Sequence, residues 1–352
     1  MRILIVMTGS GAGGLQQTAM PYAVALRREG HDALLALWAK SPMIADANAQ
    51  DIPVALVNWP QRPFPFGLLQ TRVLTGVVST FTPDAVIAIA QKGLKQALGA
   101  THRRVPVLSR CGGTRPKVIR KLLGADHLIV TSAEMGEIAV TCGADKTALS
   151  VVPNFLLGAS VGHDYTRDAG LVVGSLGRLT KRKGFDLLIA AAALSKSQGH
   201  QFRLVIGGAG EESARLAAQA RELGVDLELP GWIRNDAKST FLQGLDVFVC
   251  PSRFEPFGNV YLEAMQHGLP IVSADTTGAR AIFSAQDQAI IVPTENAVAL
   301  ADGLSALLAN RSRRAAMGQA GQQRFAQAFS LEAAAPRLSE VVTKAVERWN
   351  SR

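Results

Sequence analysis

The sequence predicts an α/β protein built from two tandem, doubly wound parallel-sheet domains, and three observations predict it. Short runs rich in Ile, Val and Leu alternate with longer helix-patterned stretches along most of the chain, as in βα units that share a parallel sheet. A polar stretch without periodicity at residues 155–170 ends this alternation, which then restarts. At 352 residues the chain is also about twice the length of a usual domain, which favours two separate cores.

The elements follow in order. Residues 2–8 form a short apolar run that leads into a glycine cluster and then into helix-like sequence at 15–29, giving strand, turn and helix. Further buried strands are expected at 33–38, 54–57, 84–90, 105–109 and 128–131, separated by helical or loop segments. Residues 155–170 read as the interdomain linker. A second series of strands is expected at 171–176, 203–206, 227–229, 247–250, 270–273 and 289–292. This divides the chain into a first domain at 1–158 and a second at 159–334. The Ala-rich tail from 297 to 352 is helical in pattern, Pro336 is expected to kink or interrupt it, and the segment from about 335 to 352 is placed to pack back on the first domain.

Composition narrows the function classes. Hydrophobic residues make up 48% and charged residues 18%, too apolar and too weakly charged for a disordered chain. The longest uninterrupted apolar stretch, 187–194, is well short of the ~18 residues of a membrane span. The N-terminal apolar run at 3–7 is too short for the core of a signal peptide, so a cytoplasmic location is expected. Cys111, Cys142 and Cys250 are widely spaced and read as buried small hydrophobes. The net charge is +9, of which residues 1–150 carry +7, from 16 basic against 9 acidic residues. That asymmetry points to an acidic partner for the first half, such as a phosphorylated substrate, nucleic acid or an anionic membrane surface. A soluble surface that happens to be basic is the alternative.

Three motifs carry chemistry. Gly9-Ser10-Gly11-Ala12-Gly13-Gly14 satisfies G-x-G-x-x-G between a strand and a helix. The second strand, however, ends in Trp38-Ala39-Lys40 and lacks the acid that would hold a ribose. Phosphate-facing amides, tight-turn glycines and a dinucleotide site all stay open, and the last makes a nicotinamide-dependent oxidoreductase the alternative function. Gly177-Arg178-Leu179-Thr180-Lys181-Arg182-Lys183-Gly184 places four cations at the carboxyl end of a strand, where open α/β sheets bind ligands. There Arg178 and Lys183 can clamp a diphosphate, while Lys181 and Arg182 are expected to face solvent. Glu255 lies in a loop and Glu263 in the helix that follows it. Eight residues of helix span roughly 12 Å, too far for the paired carboxylates of a double-displacement glycosidase. They can contact two ends of an extended ligand whose phosphates meet the helix N-terminus. Alternatively, Glu255 caps the helix and Glu263 is exposed.

The stretch Glu255 to Met265, with Gly268-Leu269-Pro270-Ile271-Val272 after it, resembles the signature of retaining glycosyltransferases of the GT-B fold, family 4, known as glycosyl transferases group 1. Gly177-Arg178-Leu179, Lys183-Gly184 and Gly208-Ala209-Gly210-Glu211 are similar to that family's other landmarks, so the likeness covers the second domain. The resemblance implies a GT-B fold with the donor held mainly on the second domain and the acceptor mainly on the first. It implies transfer of a hexose from a nucleotide-diphosphate sugar to a hydroxyl acceptor, a lipid-linked or cell-surface glycan precursor such as one for lipopolysaccharide or exopolysaccharide. Arg178, Lys183 and Glu255 would be catalytic, with Glu255 on sugar hydroxyls and the two cations on the diphosphate. Glu263 would bind the ribose, Gly258 and Asn259 would offer amides to phosphate together with Gly13 and Gly14, and Ile233 would lie near the nucleobase.

The chain also departs from the family pattern. The loop that often holds a His reads Ser109-Arg110-Cys111-Gly112-Gly113, and His127 is expected to be structural, which leaves the acceptor-side group unassigned. Pro153-Asn154-Phe155 and Thr277-Gly278-Ala279-Arg280 replace the usual glycine turns, a change that bears on sugar or base selectivity. No D-x-D or His/Asp cluster appears, so neither a metal nor another cofactor is expected, and no nucleic-acid partner is expected. Arg110, Arg115, Lys117, Arg120 and Lys121 interleave with Val118, Ile119, Leu122 and Leu123. A helix at 115–123 could rest on anionic lipid at the inner face of the membrane, hold a phosphorylated acceptor, or simply cover the core.

Overall fold

The computed structural model describes residues 1–7, 18–57, 67–167 and 170–352, with the backbone alone at 67–70 and 235–236. These residues form two compact units, Met1–Leu157 with Ser330–Arg352, and Gly158–Phe329. The glycine loop at 9–14, including Gly13 and Gly14, lies outside the described residues.

The first unit runs β1 (Arg2–Met7), α1 (Ala19–Arg28), β2 (Asp32–Trp38), α2 (Met43–Ala49), β3 (Val54–Val57), α3 (Gly67–Phe81), β4 (Ala85–Ile89), α4 (Ala90–Thr101), β5 (Val107–Arg110), α5 (Pro116–Arg120), β6 (His127–Val130), α6 (Ala133–Thr141) and β7 (Leu149–Val151). Its sheet has the order β3-β2-β1-β4-β5-β6-β7, and every pairing is parallel. Ile3, Ile5 and Met7 of β1 pack with Tyr22 and Leu26 of α1 on one face, while Leu4 and Val6 pack with Leu74 and Leu94 on the other. Burial on both faces is why β1 reads as a continuous apolar run and not as an alternating one.

The second unit runs β8 (Leu171–Leu176), α7 (Phe185–Ser197), β9 (Phe202–Gly207), α8 (Ser213–Glu222), β10 (Leu227–Glu228), α9 (Asn235–Gln243), β11 (Val247–Cys250), α10 (Asn259–Gln266), β12 (Ile271–Ala274), α11 (Thr277–Ile282), β13 (Ile290–Val292), α12 (Ala297–Leu308) and α13 (Arg311–Ala328). Its parallel sheet has the order β10-β9-β8-β11-β12-β13. Strand order reverses between β8 and β11, the switch point where doubly wound sheets leave room for ligand at their carboxyl ends.

The last helix, α14 (Leu331–Asn350), belongs to the first unit, where Leu338, Val341, Val342 and Ala345 join the core that contains α1. Pro336, expected to kink or interrupt the tail, lies inside this helix without ending it. As the sixth residue of the helix it removes the ladder bond to the Glu332 carbonyl, and the helix continues past it with Leu338, Val341 and Val342 buried in the core.

His127 begins β6 and is buried, with Nε2 at 2.9 Å from the Ser150 hydroxyl and Nδ1 without a partner. Burial, and then the charge of Arg348, push its pKa down to about 4, against a smaller opposing effect of Asp145. The folded protein therefore holds a neutral imidazole, whereas the unfolded chain takes up a proton near pH 6.5. Stability from this group is intact above pH 6.5 and falls as pH drops toward 4, by about 2 kcal/mol once solvent screening is allowed for. Thermal unfolding between pH 7 and pH 4.5 should show a smaller drop in Tm for His127→Gln than for the wild type.

Candidate active site

The site is built at the carboxyl ends of β8, β9 and β11, where three loops approach closely enough to exclude side chains. Gly184 has φ +69°, and a Cβ there would stand 2.1 Å from the Pro251 carbonyl oxygen. Only glycine supplies both the left-handed backbone and the clearance, so the 177–184 loop lies directly on the 250–258 loop. The third loop joins at Gly208, whose amide donates to the Gly231 carbonyl at 2.7 Å, while the Gly177 amide donates to the Gly207 carbonyl at 2.9 Å.

Within this frame Lys183 Nζ donates to Glu255 Oε2 at 2.5 Å, both side chains largely withdrawn from water. Arg178 is exposed; its carbonyl accepts from the Thr180 amide at 2.8 Å, while its side chain has no hydrogen bond or ion pair to the described residues. Lys181 and Arg182 are exposed as well, as the sequence suggested. The loop is held from behind by Arg253, which the sequence did not single out. Its guanidinium donates through both terminal nitrogens to the Asp186 carboxylate, each at 2.8 Å, and to the Lys181 carbonyl at 2.8 Å, while its amide donates to the Arg182 carbonyl at 2.9 Å. Burial pushes the Asp186 carboxyl up, but hydrogen bonds and charge from Arg253 outweigh it and hold the group below its ordinary range.

Gly258 precedes α10 with φ 87° and ψ 79°, and the helix has neither a capping side chain nor an acid in its first turn. Its N-terminus, which begins at Asn259, therefore keeps its positive end for an anion. Glu255 does not cap the helix. Its carboxylate accepts from Lys183 instead, and its carbonyl accepts from the Gly278 amide at 2.7 Å. Glu263 is not exposed on a polar face, because α10 is buried around most of its circumference. It accepts from Lys238 Nζ of α9 at 2.8 Å, a second paired carboxylate that sequence reasoning missed. Ile233 is half-buried and packs against Gly207 at the end of β9, while neighbouring Trp232 is exposed. Arg178, Lys183, Glu255, Gly258, Asn259, Glu263 and Ile233 thus all lie on the second unit, and Gly13 and Gly14 lie outside the described residues.

Removal of Arg253 leaves Asp186 partly buried without its partner, so Arg253→Met should destabilise the protein by about 2 kcal/mol and weaken nucleoside diphosphate binding as the loop loosens. Glu295, which accepts from the same guanidinium at 3.0 Å but is mostly exposed, should cost under about 1 kcal/mol as Glu295→Gln. Urea unfolding of the two variants, with calorimetric titration of UDP, GDP and ADP, compares them.

Residues 166–324 match the family model described as glycosyl transferases group 1. The lipopolysaccharide core biosynthesis glycosyltransferase LpsE of Rhizobium meliloti is 35% identical over 259 residues, covering 71% of this chain and 73% of that one. A D-inositol 3-phosphate glycosyltransferase of Corynebacterium aurimucosum is 33% identical over half of this chain and 43% of its own length. Among solved structures, Anabaena HepE, crystallised with UDP and glucose, superposes with a TM-score of 0.82 at 21% identity, covering 97% of this chain and 99% of that one.

The fold is therefore that of the GT-B glycosyltransferases, two parallel-sheet α/β units. The chain belongs to the glycosyl transferases group 1 family. That membership does not favour the nicotinamide-dependent oxidoreductase reading of the N-terminal glycine loop.

Proposed function

We propose that the protein is a retaining, metal-independent family 4 hexosyltransferase, which moves a sugar from a nucleotide-diphosphate donor to a hydroxyl of a lipid-linked or cell-surface glycan precursor. The observation that carries this reading is the withdrawn Lys183–Glu255 pair beside the uncapped start of α10. A diphosphate placed there meets Lys183, the free Arg178 and the helix N-terminus with the Gly258 and Asn259 amides. These groups neutralise the charge that develops on the leaving phosphate without a divalent cation. Among the described residues no three His, Cys, Asp or Glu side chains gather as a metal-binding group.

Glu255 then has two roles. In the empty site it neutralises Lys183, and when the diphosphate takes the lysine its carboxylate is released to accept from hydroxyls of the transferred sugar. Glu263, with one oxygen held by Lys238, keeps the other for the ribose, and Ile233 offers an apolar edge to the base. The glycan acceptor is supported by the likeness to LpsE, whose description places it in lipopolysaccharide core biosynthesis, and by the basic first half of the chain.

Peripheral contact with anionic lipid at the inner face of the membrane is part of this proposal. Arg115, Lys117, Arg120 and Lys121 are exposed around a partly exposed Val118, although the helix itself, α5, covers only Pro116–Arg120. Among the described residues no helix is long and apolar enough to cross a membrane.

Incubation with a panel of UDP-, GDP- and ADP-sugars, with and without EDTA, tests the reading through slow donor hydrolysis and the anomeric configuration of the product. Turnover should survive EDTA and retain configuration; inversion, or loss in EDTA, refutes the corresponding part. Arg178→Ala should lower turnover about 100-fold with little change in Tm, because the side chain is exposed and without a described partner. A near wild-type rate in that variant removes the diphosphate clamp from the mechanism.

A further inference from the structure

The first unit buries a cation that no carboxylate of the described residues neutralises. Arg110 ends β5 and is only 2% exposed, whereas the sequence grouped it with the exposed basic residues that follow. Its Nη2 donates to the Asn154 side-chain oxygen, and its Nε has no partner. No ion pair of the described residues includes it, and the sequence at 8–17 and 58–66, outside the described residues, contains no aspartate or glutamate. A guanidinium withdrawn from water with one neutral acceptor is an unfavourable arrangement unless an anion completes it.

The surrounding groups are also donors. Tyr22 of α1 is fully buried, stacked on Phe155 at 5.9 Å between ring centroids, with its hydroxyl beside the Arg110 guanidinium. Burial pushes that hydroxyl's pKa up, and the Arg110 charge acts on it in the opposite direction. Thr18, four residues earlier and so on the same face of the helix, is 4% exposed with an unpartnered hydroxyl. It precedes α1, which has neither a side-chain cap nor an acid in its first turn. The unpartnered Arg110 Nε and Thr18 hydroxyl, with the Tyr22 hydroxyl beside the positive charge and the start of a ten-residue helix nearby, mark a place where an ion completes the structure. The place lies at the carboxyl edge of the sheet, and among the described residues a side chain on Gly113, in the turn after Arg110, would meet nothing within 4 Å.

We infer that Arg110, Tyr22 and Thr18 form an anion-binding site on the first unit, which takes a phosphate or carboxylate group of a substrate. The assignment to a substrate rests on the proposed transferase reading, while the anion binding does not. Either the acceptor or the donor can carry such a group, and the two are separable.

The test titrates inorganic phosphate into the full chain at constant ionic strength, read by Tm and calorimetry without donor or acceptor. Phosphate should raise the Tm of the wild type and of Arg178→Ala, which keeps this site. Arg110→Met should lose that rise while unfolding, without phosphate, at or above the wild-type Tm, because an unneutralised buried charge has been removed. Tyr22→Phe, which keeps the stack on Phe155, should weaken phosphate about 3- to 10-fold. An undiminished phosphate response in Arg110→Met, or a response lost in Arg178→Ala instead, overturns the site.

UDP titration of Arg110→Met then identifies the source. Affinity within twofold of wild type assigns the anion to the acceptor, and a loss of tenfold or more assigns it to the donor's phosphates. A chain that turned over no nucleotide sugar would refute the transferase reading and leave the phosphate result standing.

Discussion

The second unit depends on keeping charged side chains out of water in pairs. Lys183 with Glu255 and Lys238 with Glu263 are two such pairs on neighbouring elements, each stable only while both members remain. Their geometry is enforced by backbone contact, since the loop ending at Gly184 lies on the carbonyl of Pro251 with no room for a Cβ. Arg253 tightens the same contact from the other side through Asp186. The result is a preorganised set of charges whose partners can be exchanged for those of a ligand without rebuilding the loops.

That arrangement explains why the site resists description as a simple clamp. Of its two cations, Arg178 is solvated and available, whereas Lys183 is already committed to a carboxylate. In the proposed function a diphosphate competes with Glu255 for the lysine, which would link arrival of the donor to release of the group proposed to meet the sugar. The first unit follows a different logic. Among the described residues its buried arginine has no carboxylate to exchange, so the anion proposed there would add a partner and displace none.

Much of the architecture was legible from residue order. Twelve of the strands correspond to the short apolar runs, because a strand covered on both faces must be apolar throughout. β7 was missed because it is short, has a serine at its centre and is only half-buried, so it carries no hydrophobic signal. Pro336 does not end α14, because burial of the helix's apolar face against the core outweighs the one ladder bond that the proline removes.

Sequence alone determined the chemical inventory of the site: two glutamates eight residues apart in a loop and helix, cations after a strand, and glycines at the turns. These are legible because spacing along the chain sets which groups a local element can present. What each group touches was decided only by the tertiary structure. Lys238 reaches Glu263 from another helix, Arg253 grips Asp186 far back in the chain, and Arg110 leaves the basic surface set to become a buried charge. The physical reason is that burial and ion pairing depend on which elements pack together across a sheet, and neither composition nor periodicity records that choice.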